Sequence, residues 1–475
     1  MHSRRDQVQA HAFMTGRLVS ALVCGEPDLA QRPLRRTPIG LVAGLMAGVL
    51  VVAVFAVIAI VHPGGATRWR QPGTLIVDKQ TGTGYVLSGG QLRPVLNYAS
   101  ARLLLGARMT VAVTPSSSLA GVPRGNAVGI AGAPDSLPAA DHPDRGWLLC
   151  AVSRSDPSGV PAPALSLGVG VGTGPAAEPV PDDHGVLVRT SDGTRYLAWK
   201  DRRLRLAAPW AGPALGYDDA AATPVRAAWV NALPAGPDLG PLPVAGRGAA
   251  GPDLDGASTA VGQVFVVHGM TAAARYFVLT GAGLLPVNQT GAALLLGDPA
   301  TATAYGGRTA QARELSPAAL ASAVVLPAPA SMPDLPPAPP ALLAAQPQRL
   351  PCVRATAAGA ASSVALVSVP AGAALGDVVD GPLLDRDGLT ADLIGVRPGG
   401  GLLARTMPAP GIDGAGLYVV AEPGVKYPVA DEVAAQALGY QVSDAVEVPA
   451  SLLTLLPTGP VLRRLAGPGG EAAAP

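Results

Sequence analysis

One uninterrupted apolar run, from Ile39 to Val61, constrains this chain more than any other feature. It contains 23 residues and no charged side chain. A helix of that length, at about 1.5 Å of rise per residue, is long enough to cross the roughly 30 Å hydrocarbon core of a bilayer. A cleaved signal peptide is the alternative, but its apolar stretch is typically about 7–15 residues long and lies close to the N-terminus. The run therefore predicts an uncleaved transmembrane helix over residues 39–61.

The arginines on either side of this run predict its orientation. Six arginines precede the run, and two follow it before the first predicted strand. Short segments rich in Lys and Arg stay in the cytoplasm. We therefore expect residues 1–38 to form a basic cytoplasmic arm, residues 62–74 to form a linker, and the rest of the chain to lie outside the cell membrane.

The net charge and the positions of the cysteines indicate which partners and which compartment to expect. The net charge is +1 and only 14% of residues are charged, which argues against a basic nucleic-acid-binding surface. Cys24 lies in the arm, whereas Cys150 and Cys352 lie in the predicted extracytoplasmic part. Two cysteines in an oxidising compartment favour a disulfide bond, although two buried thiols are the alternative. We expect a Cys150–Cys352 disulfide.

A unit of similar sequence recurs four times after the predicted membrane helix. Each copy has a strand that begins near a tyrosine, a turn, a short apolar segment and a helix-length stretch that ends at Leu-Gly. Irregular spacing argues against a stacked solenoid and favours separate small α/β repeats. In the first repeat, we expect Ala99, Leu103 and Leu104 to cover one sheet face. The tyrosines are Tyr85, Tyr196, Tyr276 and Tyr418, and the Leu-Gly glycines are Gly106, Gly216, Gly297 and Gly439.

The segments between the repeats predict a split central β domain. Strand-like runs occur in residues 129–180 and 351–410, and each half alone has too few strands for a stable sheet. We therefore predict an α+β protein with four small α/β repeats around a central β domain made of two halves. The other predicted segments are repeat 1 (75–128), repeat 2 (181–245), repeat 3 (260–325), a proline-rich linker (326–350), repeat 4 (411–465) and a disordered tail (466–475).

The N-terminal arm carries the most specific resemblance to a known family. The sequence SRRDQVQAH, residues 3–11, is followed by Phe13 and by Arg17-Leu18. With the four repeats, the split central domain and the cysteine pair, this arm resembles the EccB family, the single-pass membrane component of type VII (ESX) secretion systems. The resemblance implies a partner-docking arm that includes Arg4, Arg5, Asp6, Gln7, Val8, His11, Phe13, Arg17 and Leu18.

The resemblance also implies a function and a set of partners. It implies a structural core subunit of the secretion complex, anchored in the cytoplasmic membrane with the membrane subunits EccC, EccD and EccE. Self-association of the extracytoplasmic domain is expected, and the membrane-anchored mycosin protease is an expected neighbour. No nucleic acid is expected as a partner.

The residues themselves do not suggest a catalytic, cofactor or metal site. A Walker A loop requires G-x-x-x-x-G-K-[ST], and none of Lys79, Lys200 and Lys426 lies in such a loop. No HExxH, CxxC or paired-histidine spacing indicates zinc. We interpret Asp182-Asp183-His184 as a surface turn. Two alternatives to a scaffold remain at this point, an extracytoplasmic ATP hydrolase and a cell-wall-binding module.

Overall fold

The computed structural model is a mixed α+β protein with one membrane-length helix near its N-terminus and several small sheets, which confirms the predicted fold class. The chain forms two compact units, residues 1–82 with 111–121 (unit 1) and residues 83–110 with 122–475 (unit 2). The structure describes residues 4–25, 36–61, 67–140, 143–156, 158–170, 177–269, 273–328, 334–344, 348–358, 362–373, 376–409, 412 and 414–466. Parts of the predicted arm and linker, and all but the first residue of the predicted tail, lie outside the described residues.

Two long helices form the N-terminal part of unit 1. They are α1 (Arg4–Cys24) and α2 (Arg36–Val61). Helix α2 begins three residues before the predicted apolar run. Pro38 lies in its first turn, where a proline is tolerated because the missing N–H would have no partner inside the helix.

The first repeat is divided between the two units. Strand β1, helix α4 and most of β4 belong to unit 1, whereas β2, β3 and α3 belong to unit 2. Gly89 and Gly90 connect β2 to β3 with positive φ angles of 55° and 73°, as a two-residue hairpin turn requires. The elements are β1 (Thr74–Asp78), β2 (Gly84–Ser88), β3 (Gln91–Pro94), α3 (Tyr98–Leu105), β4 (Thr110–Thr114) and α4 (Ser116–Leu119).

The central sheet has six strands and combines both predicted halves. Its first-half strands are β5 (Gly146–Ser155), β6 (Pro161–Val169) and β7 (Glu178–Pro179). The second repeat follows with β8 (His184–Arg189), β9 (Arg195–Trp199), β10 (Arg202–Arg205), α5 (Ala211–Ala214), β11 (Thr223–Pro224) and α6 (Ala227–Asn231). The third repeat has β12 (Val264–Val267), β13 (Arg275–Thr280), β14 (Gly283–Val287), α7 (Gln289–Gly297), β15 (Arg313–Glu314) and α8 (Pro317–Ser322).

The remaining elements complete the central sheet and the fourth repeat. The linker strand is β16 (Ala341–Leu342), and the second-half strands are β17 (Arg349–Thr356), β18 (Ser363–Pro370) and β19 (Leu393–Val396). The fourth repeat has β20 (Gly401–Met407), β21 (Leu417–Ala421), β22 (Val425–Val429), α9 (Glu432–Leu438), β23 (Val446–Pro449) and α10 (Ala450–Leu453). The strand order of the central sheet is β19-β6-β5-β17-β18-β7.

Repeats 2, 3 and 4 share one sheet topology. In each, the first three strands are antiparallel neighbours, and the fourth strand lies parallel to the first on its other side. A parallel pair needs a long crossover, and the helix of each repeat lies in that crossover. The recurring tyrosine thus falls in the second strand of each sheet, as Tyr196, Tyr276 and Tyr418.

Strand β20 corrects the predicted boundary between the central domain and the fourth repeat. The sequence placed residues 401–406 in the central domain and began the repeat at residue 411. Instead, β20 pairs with β21 and β23, so that Ala404 lies opposite Tyr418 on one side and Val446 on the other. The fourth repeat therefore has all four strands and begins at Gly401.

The proline-rich linker packs against the second repeat instead of standing free. Strand β16 pairs in parallel with β8, and Leu335 is buried in the apolar cluster of the second repeat. The Tyr217 hydroxyl donates a hydrogen bond of 3.0 Å to the Pro340 carbonyl. The described part of the linker is therefore a packed part of unit 2.

Candidate functional site

Helix α2 presents an apolar surface that protein does not cover. Its segment Ile39–Val57 is the one membrane-length apolar helix among the described residues, and none of that segment is buried. Phe55, for example, is 67% exposed. A continuous exposed apolar surface of this size indicates contact with lipid or with a partner helix.

Helix α1 carries all nine residues that the resemblance assigns to partner docking. Each of these side chains is exposed in α1. Val8 and Leu22 lie on one side of the helix, because their spacing of 14 residues is close to four turns. Phe13 and Arg17 lie on another side, with the Arg17 guanidinium 6.0 Å from the ring centroid. Met14, which was not among the predicted docking residues, is 64% exposed and widens the apolar surface of α1.

The predicted cysteine pair lies at the centre of the six-stranded sheet. The structure joins Cys150 to Cys352, whose sulfurs are 2.01 Å apart. These residues lie directly opposite each other in the neighbouring strands β5 and β17. Both are fully buried. Because antiparallel strands in this register are related by a local two-fold axis, the bond links two similar halves of the sheet, with β6 beside β5 and β18 beside β17.

Helices α3 and α9 pair the first repeat with the fourth. Ala99 and Leu103 of α3 are buried in the same apolar cluster as Leu438 of α9, so this stripe packs against the fourth repeat and not only against its own sheet. The Arg102 side chain donates through Nη2 to the Leu438 carbonyl at 2.9 Å. An arginine at the C-terminal end of a helix satisfies carbonyls that lack partners inside the helix.

Helices α5 and α7 pair the second repeat with the third in a corresponding way. Leu294 of α7 is buried in the apolar cluster of the second repeat. At Gly297, a Cβ atom would lie only 2.2 Å from the Ala214 side chain, so the close approach of the two helices requires glycine there. The Leu-Gly ends of the repeats therefore mark helix-pairing positions as well as helix C-termini.

Polar N-caps explain why these helices begin where they do. Asn97, Asn288 and Asp431 precede α3, α7 and α9, and each side chain accepts a hydrogen bond from a backbone N–H three residues later. Such caps stabilise a helix by about 1 kcal/mol. The Asn97 and Asn288 amides also donate to later carbonyls, those of Ile130 and Pro336. The Asn97 and Asn288 caps thus also fix α3 and α7 to the chain that follows their repeats.

Two of the three lysines, Lys200 and Lys426, have side-chain contacts with structural neighbours among the described residues. Lys200 lies in a turn, where its Nζ is 3.2 Å from the Asp182 carboxylate. Lys426 Nζ donates to the carbonyls of Leu453 and Leu456, at 2.8 Å each, and burial lowers the pKa of this lysine. Lys79 is exposed. None of these positions follows a glycine-rich phosphate loop.

The acidic turn before β8 also has a structural arrangement. The Asp183 carboxylate is 2.8 Å from His184 Nδ1, and this hydrogen bond holds the pKa of Asp183 below its usual range. The Asp182 and Asp183 side chains are each 81% exposed. Within the described residues, no cluster of three or more His, Cys, Asp and Glu side chains could hold a metal ion.

A cavity of about 550 Å³ lies between the central sheet and the second repeat. Its wall is mostly alanine, valine and proline. Among the described lining residues, Arg349 forms an ion pair with Glu178 at 3.0 Å and also donates through Nε to the Ser368 hydroxyl. The lining residues that the structure describes offer apolar contact and a compensated arginine, and they include neither a lysine nor a histidine.

This sequence and fold are similar to those of known type VII secretion proteins. A family model described as "Type VII secretion system ESX-1, transport TM domain B" matches residues 1–468. The "ESX-3 secretion system ATPase EccB3" of Mycolicibacterium smegmatis is 30% identical, over 97% of this chain and 89% of that protein. The solved "periplasmic assembly from the ESX-5 inner membrane complex" gives a TM-score of 0.64 at 25% identity, over 88% of this chain and 99% of that chain. The solved "EccB3 dimer from the ESX-3 core complex" gives a TM-score of 0.60 at 28% identity, over 82% and 98%.

The family match includes the arm, the apolar helix and all four repeats. The family model runs from the first residue to beyond the last described one, and the relative from M. smegmatis covers nearly the same length. The chain therefore belongs to the EccB family of type VII secretion membrane proteins.

Proposed function

We propose that the chain is a structural core subunit of a type VII secretion complex in the cytoplasmic membrane. The observation that carries this proposal is the combination of an exposed membrane-length helix with a large disulfide-linked domain in a chain that matches the family model over residues 1–468. Such a protein is suited to anchoring and assembly. The related structures come from an ESX-5 inner membrane complex and an ESX-3 core complex.

We infer that the arm is cytoplasmic and the repeats are extracytoplasmic. The excess of arginines before α2 supports this orientation. The buried Cys150–Cys352 bond supports it independently, because disulfides persist in oxidising compartments. Protease added to intact spheroplasts should digest the repeats and spare α1. Digestion of α1 with protection of the repeats would reverse the topology.

We propose that α1 docks the chain to the membrane subunits EccC, EccD and EccE, and that the extracytoplasmic part associates with further copies of the chain. The exposed apolar side of α1 supports the first statement. The related EccB3, which was solved as a dimer from the ESX-3 core complex, supports the second. The mycosin protease is a further proposed neighbour on the outer side.

The arm can be tested with paired substitutions on the full-length chain. Leu22→Asp places a charge on the exposed apolar side, whereas Gln9→Asp places the same charge at a position that is already polar. We expect Leu22→Asp to reduce co-purification of the other membrane subunits at least fivefold, with Gln9→Asp close to the parent. Equal co-purification for both variants, with both inserted in the membrane, would remove the docking role from this face.

The word ATPase in the names of the relatives gives a second candidate function. The positions of the three lysines argue against ATP hydrolysis by this chain. None of them lies in a phosphate-binding loop, and Lys426 and Lys200 contact structural neighbours. The purified full-length chain should show no Mg²⁺-dependent ATP hydrolysis above that of a preparation from cells lacking it. Turnover that stays with the chain through two different purification steps would support the enzyme.

A further inference from the structure

The edges of the repeat sheets differ in how they are closed. On the hairpin side of every repeat, the following chain covers the third strand through isolated bridges, such as Leu92 with Arg124 and Val429 with Leu462. The fourth strand forms the other edge. In repeats 2 and 3 this strand has only two residues, with Pro224 in β11 and the charged pair in β15. Short length, proline and charge are the usual protections of a sheet edge.

Strand β4 of the first repeat lacks these protections. It has five residues, TVAVT, with neither a proline nor a charge. It is the end strand in its sheet order. Val111 and Val113 are 55% and 63% exposed and lie on the same sheet face. The corresponding strand of the fourth repeat, β23, is of similar length but contains Pro449, and its valines are buried.

The backbone of β4 directs its middle residues outward. Lys79 N–H donates to the Thr114 carbonyl at 3.0 Å, so the Thr114 carbonyl faces β1. Backbone groups alternate along a strand, and those of Val111 and Val113 therefore face away from β1. The register of this edge is held in place because the Ser116 hydroxyl and the Gln80 N–H both donate to the Asp78 carboxylate.

The sequence of β4 reads the same in both directions. Two copies can therefore pair antiparallel about a two-fold axis at Ala112, with Val111 of each copy opposite Val113 of the other. Because these valines have outward backbone groups, each opposed pair forms two N–H···O=C bonds, and the two Ala112 residues form the close pair without hydrogen bonds. The valine side chains then contact each other across the new strand pair.

We propose that β4 is a self-association edge at which a second copy of this chain adds its own β4 by antiparallel strand pairing. This inference rests on the self-association under the proposed function and specifies its contact. The edge is short, but only 12 residues separate the end of α2 from the start of β1. Two copies anchored in one membrane are therefore held at a high effective concentration, and both present the strand at the same end of the chain.

Cysteine cross-linking of the full-length chain in its membrane tests this pairing. Cys24→Ser removes the native arm thiol, and Ala112→Cys is added to that background. At the two-fold axis the two Ala112 Cα atoms would be about 4.5 Å apart, within the range for a disulfide. We expect mild oxidation to give a covalent dimer as the main product. Val111→Cys is the matched control, because two copies of Val111 would be about 8 Å apart, and we expect at least fivefold less dimer.

Two further variants separate strand pairing from mere proximity. Val113→Pro removes an outward N–H without touching the side of β4 that faces β1, and should reduce Ala112→Cys dimer at least fivefold. Val113→Thr keeps the N–H and should leave it unchanged. If Val113→Pro is not inserted or is degraded, the Val113→Lys variant replaces it, because it places two positive charges in the dimer contact and should also prevent cross-linking.

The outcomes distinguish this inference from the proposed function. Equal cross-linking at positions 111 and 112, cross-linking unaffected by Val113→Pro and Val113→Lys, or cross-linking of Ala112→Cys only to a different protein would each overturn the edge. If Ala112→Cys forms no dimer while the chain still migrates in a large membrane complex on a native gel, the edge fails and the core-subunit function stands. A parent chain that migrates alone as a monomer would refute both.

Discussion

Removing the central disulfide should destabilise unit 2 by several kcal/mol. The bond joins residues separated by 202 positions. In the chain-entropy model, closing a loop of that length lowers the conformational entropy of the unfolded chain and stabilises the fold by about 5 kcal/mol, and measured values are commonly about 2–5 kcal/mol. Both sulfurs are fully buried, so Cys150→Ala with Cys352→Ala also loses packing in the middle of the sheet.

Thermal unfolding of the full-length chain in detergent measures this effect. Unit 2 has about 380 residues, so at about 2.1 cal/mol/K of unfolding entropy per residue a loss of 2–5 kcal/mol lowers Tm by about 2–6 °C. The control is Cys24→Ser, which removes the arm thiol and should leave Tm unchanged. A double variant that unfolds within about 1 °C of the parent, when the parent is oxidised on non-reducing gels, would refute the entropic reasoning.

The same variant should loosen one pair of repeats selectively. Arg102 and Leu438, which are in contact, lie 336 positions apart in the sequence. The disulfide shortens the length of chain that connects them by 202 positions. Once the central sheet opens, loss of the bond makes re-pairing of α3 and α9 less favourable by about 1 kcal/mol. Helices α5 and α7 both lie inside the disulfide loop, so their pairing gains nothing from it. Hydrogen exchange should therefore accelerate in α9 more than in α7, and equal acceleration would contradict this assignment.

Three further perturbations have defined outcomes. Lys426→Met removes two charge-assisted hydrogen bonds, those to the Leu453 and Leu456 carbonyls, and should lower the free energy of unfolding by about 2–3 kcal/mol in urea titrations, whereas Lys79→Met should change it little. Burial raises the pKa of Tyr440, and it raises the pKa of Tyr427 to about 12. Above pH 10 the unfolded chain therefore loses its phenolic protons before the folded chain does, and the free energy of unfolding should fall by up to about 1.4 kcal/mol per pH unit for each tyrosine. The fall should be less steep in Tyr440→Phe. Arg102→Met should speed amide exchange at the end of α9 about tenfold, and unchanged exchange would show that the α3–α9 packing alone holds it.

The sequence predicted the repeated units well because each carries its own local signals. A tyrosine in the second strand, a tight turn and a terminal Leu-Gly are all short-range features, and the structure places them in corresponding positions. Strand β20 was assigned to the wrong sheet for a local reason as well. Residues 408–416, with Pro408 and Pro410, separate it from β21, so it did not read as the first arm of a hairpin.

The pairing of the repeats could not be predicted from these local patterns. Ala99 and Leu103 form an apolar stripe that fits any neighbouring sheet or helix, and only the fold brings them to the fourth repeat. The linker shows the same limit. Its prolines predict extension, but its contact through Leu335 with the second repeat depends on residues far away in the sequence.

The first repeat differs from the other three in its edge strand β4, where a second copy of the chain could pair. Helices α3 and α9 join it to the fourth repeat as α7 and α5 join the third to the second, so the four repeats meet the same internal packing demands. Internal packing therefore does not require an edge strand without proline or charge. The equivalent strands β11, β15 and β23 pack in the same way and each contains a proline, a charged residue or both. An unprotected edge exposes a protein to unwanted pairing. Its presence only in the repeat that follows the membrane helix is explained if a second anchored copy covers it.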